Sequence, residues 1–452
     1  MTLETEPQKL LQSGNFIDKF AGTILRDIPD VNPEWAEACA TTVLSTAIGP
    51  NKFTHTKIGD LHLNVWHLLV APSGTSKTTA LTYFVEPAVR ALSDLVNETE
   101  NATKDSKAEK SQVDLLLPRT FSLESLLVHM KKKGQAQGLI TMDEIAGSFK
   151  EVASKSYAAD LYENYSLLYD CQEIRATFVK WGAYSPIKNP YVTVIGAGTP
   201  TVYKYLPEDY SIQGTANRFL HIVGEEKSPS IPTSVHDYFG YDSDNGISER
   251  EAELDDFAKR LLTIRNSKAT LVSFDTGDNS GTGSLMLEQY KRIVKEFEGT
   301  TNPFLQGYLH RLYEMTLKLA AIRALGAITE QNSSFYNDYT LTPMKADAEW
   351  AIEKAWRHHE HFKTFVKKWG GHGTTFKEAQ VPSYAHTQDS IKDVIKARGG
   401  EATRSDLLLA TRIKAKELDD ILESMPEVAW KISESTGGNR ARIYYLKEKT
   451  LS

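Results

Sequence analysis

The chain is poor in cysteine: its 452 residues include only Cys39 and Cys171, which lie far apart in the sequence. Because no closely spaced cysteine pair is present, neither a disulfide framework nor a structural zinc site is indicated. This usage is typical of proteins from a reducing compartment. We therefore expect a cytoplasmic protein.

Long apolar runs are lacking too. The most apolar stretch, residues 316–328, is short and is interrupted by Lys318 and Arg323. It falls below the length that a membrane-spanning helix needs, and the N-terminus shows no signal-peptide pattern. We therefore expect a soluble protein with no membrane partner.

A strong excess of positive charge is also missing, since 52 Lys and Arg are set against 59 Asp and Glu, for a formal net charge of −7. This balance argues against a chain coated with nucleic-acid-binding surface, but it is compatible with a basic channel or a small basic module. The length and the 40% apolar composition predict two or three domains.

A phosphate-loop motif is the most informative feature that is present. An apolar run over residues 61–70 leads into Ala-Pro-Ser-Gly-Thr-Ser-Lys-Thr-Thr, and residues 79–95 then have helical spacing. Read from Ala71, this is the spacing of a Walker A motif, in which backbone N–H groups face phosphates, a lysine reaches the outer ones and a hydroxyl holds Mg²⁺. The predicted ATP-binding residues are Ser73, Gly74, Thr75, Ser76, Lys77, Thr78 and Thr79.

Two departures from this motif leave an alternative open. Ala71 and Ser76 replace its two outer glycines, although Lys77 and Thr78 are in place. The alternative is a Ser- and Thr-rich turn that contains a lysine by chance. A strand, a turn of this composition and a helix start rarely coincide, which favours the nucleotide site.

A strand that ends in two acids follows. Residues 137–142 lead into Asp143 and Glu144, and Asp143 lies 66 residues after Lys77 (143 minus 77). This is the form of a Walker B motif, in which Asp143 with Thr78 would hold Mg²⁺ and Glu144 would orient and polarise the attacking water. Alone, such a pair is more often a solvated turn, but its position after a phosphate loop favours catalysis.

The segmentation of the chain predicts an α/β protein with several parts. Helical spacing in residues 16–25 and 32–48 indicates a helical N-terminal region over 1–60. The α/β core with a helical lid would cover 61–367, and a Gly- and Pro-containing linker 368–387. Residues 388–452 show three short helices followed by a two-stranded hairpin, the order of a winged helix-turn-helix domain.

Four segments resemble the AAA+ core of MCM-type replicative helicases, in the same order. They are the phosphate loop, the strand ending in Asp143-Glu144, residues 191–200 and residues 216–220. The arrangement is at least as similar to an uncharacterised family of P-loop ATPases from phages, plasmids and integrated elements. The resemblance covers roughly residues 30–360, and it implies an ATPase that assembles as a ring, with a hexamer expected.

The resemblance also implies individual roles. Thr199 falls where the family has its sensor-1 asparagine. Arg218 falls on the arginine finger that a neighbouring subunit receives, which can contribute ~10³ or more in rate. Arg311 is the candidate for the second sensor arginine, although His310, Lys318 and Arg323 lie on the same helix. For Arg218, the alternative is a surface arginine paired with a nearby acid.

Two regions are candidates for DNA contact. Residues 175–184 resemble the hairpin that MCM-type rings project into their channel, with Lys180 at the DNA-contacting position; an ordinary edge hairpin is the alternative. In the C-terminal unit, a winged helix would use Lys414, Lys416, Arg440 and Arg442. Residues 386–452 carry a formal charge of only +1, against −8 for the rest, so protein contacts are an equal alternative there.

These observations favour an ATP-driven, ring-forming DNA helicase or translocase that replicates a mobile genetic element or virus, with ATP and Mg²⁺ as cofactors and single-stranded or forked DNA as partner. One alternative is an ATP-dependent replication initiator that remodels an origin. Another is a DNA-binding regulator whose nucleotide site acts as a switch.

Overall fold

The chain is a mixed α/β protein that divides into two compact units, residues 1–372 and 373–452, in a computed structural model. No helix among the described residues combines the length and the apolar character needed to cross a bilayer. The structure describes residues 7–57, 59–102, 112–119, 126, 129–130, 136–146, 165–174, 177–178, 182–183, 187–204, 214–224, 243–274, 281–333, 339–370, 384–411, 418–419, 421–422, 425, 427–432 and 442–447.

A parallel sheet forms the centre of the first unit. Its strands are β3 (Trp66–Val70), β4 (Gln137–Met142), β7 (Tyr191–Gly198) and β8 (Phe219–Val223), in the spatial order β4-β7-β3-β8. Leu116 adds a parallel bridge to the outer side of β4. Every residue of β3, β7 and β8 is buried, as expected for a parallel sheet that is covered on both faces.

Three N-terminal helices precede the sheet: α1 (Pro7–Leu11), α2 (Phe16–Asp27) and α3 (Pro33–Ile48). The predicted helices over 16–25 and 32–48 are confirmed. Asn15 and Asn32 cap α2 and α3 through their side-chain oxygens, and thirteen of the sixteen α3 residues are buried. The helix α3 therefore belongs to the core of the first unit.

A long helix follows the phosphate-loop segment. It begins as α4 (Lys77–Ala80), passes through a π-helical stretch at Leu81–Val85 and continues as α5 (Glu86–Ala102). The predicted helix over 79–95 is therefore confirmed, and it begins two residues earlier and ends seven later. Buried Glu86 ties α5 to the sheet, because its carboxylate accepts hydrogen bonds from Thr141 (2.7 Å) and Arg119 (2.5 Å).

The second half of this unit is mainly helical, as predicted from the spacing. Its helices are α6 (Ser243–Asn266), α7 (Thr282–Gly299), α8 (Pro303–Leu325) and α9 (Lys345–Gly370). Of these, α6, α8 and α9 contact the N-terminal helices; for example, the ring of Phe257 contacts those of Phe16 and Phe20. Asp18 forms two hydrogen bonds of 3.0 Å with Arg323.

A small second sheet corrects the prediction that residues 1–60 are helical. Strands β1 (Phe53–Thr56) and β2 (Gly59–His62) form an antiparallel hairpin, which β9 (Leu271–Val272) and β10 (Thr340–Leu341) extend in the order β10-β9-β1-β2. The predicted single strand over 61–70 is accordingly divided between β2 and β3. Strands this short give no usable periodicity, and β9 and β10 are defined only by pairing with residues far away in the sequence.

The second unit contains α10 (Tyr384–Ala397), β11 (Glu401–Thr403), α11 (Arg404–Thr411), β12 (Val428–Ile432) and β13 (Arg442–Leu446). Residues 418–419 and 421–422 are also helical. The strands form an antiparallel sheet in the order β11-β13-β12, so β11 is an addition to the predicted hairpin. Because α9 ends at Gly370 and α10 begins at Tyr384, both ends of the predicted linker are helical.

Candidate functional site

The phosphate-loop segment lies at the carboxyl edge of the central sheet, directly after β3. Backbone hydrogen bonds anchor its start to both neighbouring strands: Ala71 N–H donates to Gly198 (3.1 Å), and Gly224 N–H donates to Val70 (2.9 Å). Ligands of parallel α/β sheets bind at this edge, where the loops converge. The predicted strand, loop and helix are therefore all present.

The loop tolerates both departures from the glycine pattern, for different reasons. Gly224 accommodates Ala71, because a β-carbon added at Gly224 would lie 2.6 Å from that of Ala71. Ser76 adopts a left-handed backbone conformation with φ 52° and ψ 23°, which glycine favours and serine does not. Gly74 has a positive φ of 82° at the loop's outer turn.

Lys77 is the most buried polar side chain of the loop, with only 8% of its surface exposed. Its ammonium donates hydrogen bonds to the carbonyls of Ala71 (2.8 Å) and Pro72 (2.5 Å) and to the hydroxyl of Thr75 (3.1 Å). Burial lowers the pKa of Lys77 from its ordinary value, while the charges of Glu144 and Asp143 act in the opposite direction. The lysine therefore lies within electrostatic reach of both acids.

Thr78 and Asp143 come together although 65 residues separate them. The Thr78 hydroxyl donates a hydrogen bond to the Asp143 carboxylate, and both side chains are exposed at the carboxyl edge. A hydroxyl oxygen and a carboxylate oxygen are the hard ligands that Mg²⁺ prefers, so these two residues fit a bound magnesium ion. Glu144 follows Asp143 and is equally exposed.

Thr199 lies just beyond the end of β7, the strand between β3 and β4 in the sheet. It follows β7, whose last residue, Gly198, pairs with Val70 at the end of β3. Its hydroxyl is hydrogen-bonded to that of Thr201 at 2.6 Å. The predicted sensor-1 residue is therefore next to the phosphate loop, while the exposed Ser73 and half-buried Thr79 lie on the loop and the first turn of α4.

Arg218 and Arg311 lie at the opposite, amino edge of the sheet. Arg218 directly precedes β8, whose first residue pairs with Trp66 at the start of β3. The β3 strand is five residues long and rises about 3.3 Å per residue, so about 13 Å separates this edge from the phosphate-loop edge. Neither arginine therefore lies next to the phosphate loop of its own chain.

A carboxylate that the sequence did not single out holds both arginines. Arg218 donates to one oxygen of Asp170 (2.8 Å) and Arg311 donates to the other (3.2 Å). The side chain of Arg218 is only 8% exposed, so it does not project from the surface of the single chain. Of the alternative, the pairing with a nearby acid is confirmed and the surface location is not. A lone aspartate at the end of a helix carries no motif, so sequence reasoning could not have found Asp170.

The candidate DNA residues fall mostly outside the part of the chain that the structure describes. This applies to Lys180, Lys414, Lys416 and Arg440. The strands β5 (Thr177–Phe178) and β6 (Gly182–Ala183), which flank Lys180, pair in antiparallel fashion. Arg442 is exposed on β13, and its guanidinium lies 4.6 Å from the centre of the Trp430 ring.

The carboxyl edge thus brings together Lys77, Thr78, Asp143, Glu144 and Thr199. No group of three or more His, Cys, Asp or Glu among the described residues has the arrangement of a metal site, so a cation here would rely on a hydroxyl, one acid and non-protein ligands. No protein-family model and no curated protein sequence matches this chain.

Proposed function

We propose that the chain is a Mg²⁺-dependent ATPase. The observation that carries this proposal is the meeting of Lys77, Thr78 and Asp143-Glu144 at the ends of two strands of one parallel sheet. Two of these residues follow β3 and two follow β4, so the sheet assembles the same groups that the two motifs predict. A chance Ser- and Thr-rich turn would not require an acid pair at its side.

Each residue then has a defined task. Lys77 exchanges its bonds to the Ala71 and Pro72 carbonyls for bonds to the outer phosphates, because a phosphate oxygen offers a stronger, charge-assisted acceptor. Thr78 and Asp143 would hold Mg²⁺, which would supply positive charge next to the phosphates when bound. Glu144 accepts a hydrogen bond from the attacking water, and Thr199 positions that water from the adjacent strand.

We further propose that the ATPase is of the AAA+ type and is completed by a second copy. The position of Arg218 at the amino edge supports this, because it cannot reach the phosphate loop of its own chain. A neighbour packed edge to edge would place Arg218 on the bound triphosphate of the next subunit. Repetition of this head-to-tail contact closes a ring when the rotation between neighbours is a whole fraction of a turn, and the resemblance suggests six copies.

The proposed substrate of the motor is DNA. The second unit supports this through its order of helices and a three-stranded sheet, which suits a winged helix, and through the exposed Arg442 stacked on Trp430. An aromatic ring with an adjacent cation suits base stacking and phosphate attraction. We propose an ATP-driven helicase or translocase of a mobile element or virus.

The ATPase proposal is tested by phosphate release from purified protein with ATP and Mg²⁺. Lys77→Ala and Glu144→Gln are each expected to lower the rate about 100-fold or more, because one weakens phosphate binding and the other removes the water's acceptor. Lys291→Ala is the matched control, since this exposed lysine forms an ion pair with Glu288 on the same helix, α7. Equal rates in all four proteins would refute the proposal.

The motor proposal is tested on a forked DNA duplex with the same variants. Unwinding that requires ATP and disappears with Glu144→Gln would support a helicase. Preference for one duplex sequence without unwinding would favour the replication initiator, and nucleotide binding without turnover would favour the switch.

A further inference from the structure

Two arginines from separate elements converge on one carboxylate at the amino edge of the central sheet. Arg218 ends the 3₁₀ turn before β8, and Arg311 lies on α8. Each donates to a different oxygen of Asp170, so both oxygens are engaged by a guanidinium. This paired arrangement resembles the way that two arginines grip a phosphoryl group.

The surroundings of Asp170 carry an excess of positive charge. Glu314 accepts a hydrogen bond from Arg311 (2.8 Å) and forms an ion pair with Lys318 (3.4 Å). The Lys318 ammonium also lies 3.9 Å from the centre of the Tyr169 ring. Three cations thus face two acids in a cluster of low exposure. Without Asp170 the cluster would hold two uncompensated positive charges. Uncompensated charge is costly in a partly buried site, so another anion would be needed there.

The position of the cluster in the fold bears on which anion that would be. The cluster lies beside Asn64, just before β3, because the Asn64 amide donates to the carbonyl of Tyr169 (2.8 Å). It is therefore a strand length away from the chain's own phosphate loop. In the proposed ring the amino edge of one chain faces the carboxyl edge of the next, so the triphosphate of a second copy is the anion that these two guanidinium groups would meet.

We propose that Asp170 is an intramolecular competitor that occupies Arg218 and Arg311 until the triphosphate of a neighbouring copy displaces it. In the isolated chain the carboxylate stands where the phosphoryl group of the next subunit would stand. Assembly with ATP must then break two charge-assisted hydrogen bonds before new ones form. This inference rests on the proposed function. It adds that a single chain stays inactive until the triphosphate of a neighbouring copy displaces Asp170.

The direct test compares ATP hydrolysis per chain over a range of protein concentrations for the wild type and Asp170→Asn. The asparagine keeps the size of the side chain but removes its charge. We expect the protein concentration for half-maximal rate to fall about tenfold, the order of one charged hydrogen bond, while the maximal rate per chain stays within about twofold. Sedimentation with a non-hydrolysable ATP analogue should show the same shift.

Three variants control for effects on folding. Asp170→Glu keeps the charge and should remain close to wild type. Asp18→Asn removes a comparable aspartate–arginine pair, that with Arg323, and should leave the half-maximal concentration unchanged. If Asp170→Asn does not fold, Glu314→Gln carries the test, because it also removes an acid from the cluster and should lower the half-maximal concentration by a smaller factor.

Two outcomes overturn the inference while the proposed function stands. One is an unchanged half-maximal concentration in a folded Asp170→Asn or Glu314→Gln protein. The other is a reduced maximal rate in Asp170→Asn, which would make Asp170 a residue that positions Arg218 for catalysis. Failure of the proposed function has a different signature, since wild-type hydrolysis would then be absent or insensitive to Arg218→Ala.

Discussion

Ser76 replaces a glycine of the motif at a cost in backbone conformational energy. Its φ of 52° lies in the left-handed region, where a β-carbon costs ~1–2 kcal/mol relative to ordinary conformations. Ser76 is the N-cap residue of α4, so its backbone conformation sets the direction in which this helix and its first residue, Lys77, continue from the loop. Ala71, by contrast, lies where the facing Gly224 leaves room for its methyl group.

Substitutions of Ser76 should therefore depend on backbone conformation. Ser76→Gly should stay within about 1 kcal/mol of the wild-type free energy of unfolding and should keep ATP affinity, because glycine adopts φ > 0 freely. Ser76→Val should lose about 1–2 kcal/mol and weaken ATP binding, because a β-branched residue resists this conformation. Urea unfolding and nucleotide titration measure both effects, and equal tolerance of Val and Gly would contradict this explanation.

At the scale of elements, helix starts position the site. The Asn32 side chain accepts hydrogen bonds from the N–H groups of Glu34 (2.8 Å) and Trp35 (3.3 Å) at the first turn of α3. The Trp35 indole N–H in turn lies 3.4 Å from the carbonyl of Lys77, at the start of α4. The cap of one helix thus fixes a contact with the helix that carries the phosphate-loop lysine.

The Asn32→Ala protein should lose about 1 kcal/mol of unfolding free energy, because two N–H groups at the start of α3 lose their acceptor. Asn32→Ser should stay close to wild type, since serine caps helices nearly as well as asparagine. Urea unfolding followed by circular dichroism measures both variants. A serine variant as unstable as the alanine variant would show that the side chain has a role other than capping.

At the scale of the whole molecule, histidines are buried where helix α9 meets the sheet. Burial lowers the pKa of His221 to about 3 and that of His358 to about 4, and it lowers the pKa of His67 well below the usual value. His358 is hydrogen-bonded to the His221 carbonyl at 2.9 Å, and His67 to the Thr42 hydroxyl at 2.9 Å. All three are therefore neutral in the folded protein near neutral pH.

Acid should consequently destabilise the fold. Between pH 6.5 and about 4 the unfolded chain binds protons at these histidines and the folded chain does not, so stability is complete above pH 6.5 and falls as the pH drops. Each histidine contributes up to about 1.4 kcal/mol per pH unit in this window. Urea unfolding at several pH values tests this, and a flat profile from pH 7 to pH 5 would contradict it.

Much of the local structure could be predicted from the chain alone. The motif spacing identified the strands, loop and helix that carry Lys77, Thr78 and the Asp143-Glu144 pair, because these depend on nearby residues and on apolar periodicity. The short strands β1, β9 and β10 were missed and β2 was merged with β3, since four or fewer residues have no detectable period and the pairing of β9 and β10 joins residues far apart in the sequence.

The sequence by itself determined that this is an α/β chain with a strand–loop–helix segment of Walker A spacing and a distant acid pair, because helical and strand periods and turn residues are local properties. Only the tertiary structure decided which edge of the sheet each charged group occupies. Asp170 acquires its two arginines, and Thr78 its aspartate, through the order in which parallel strands and helices pack, and that order depends on contacts between residues far apart in the chain.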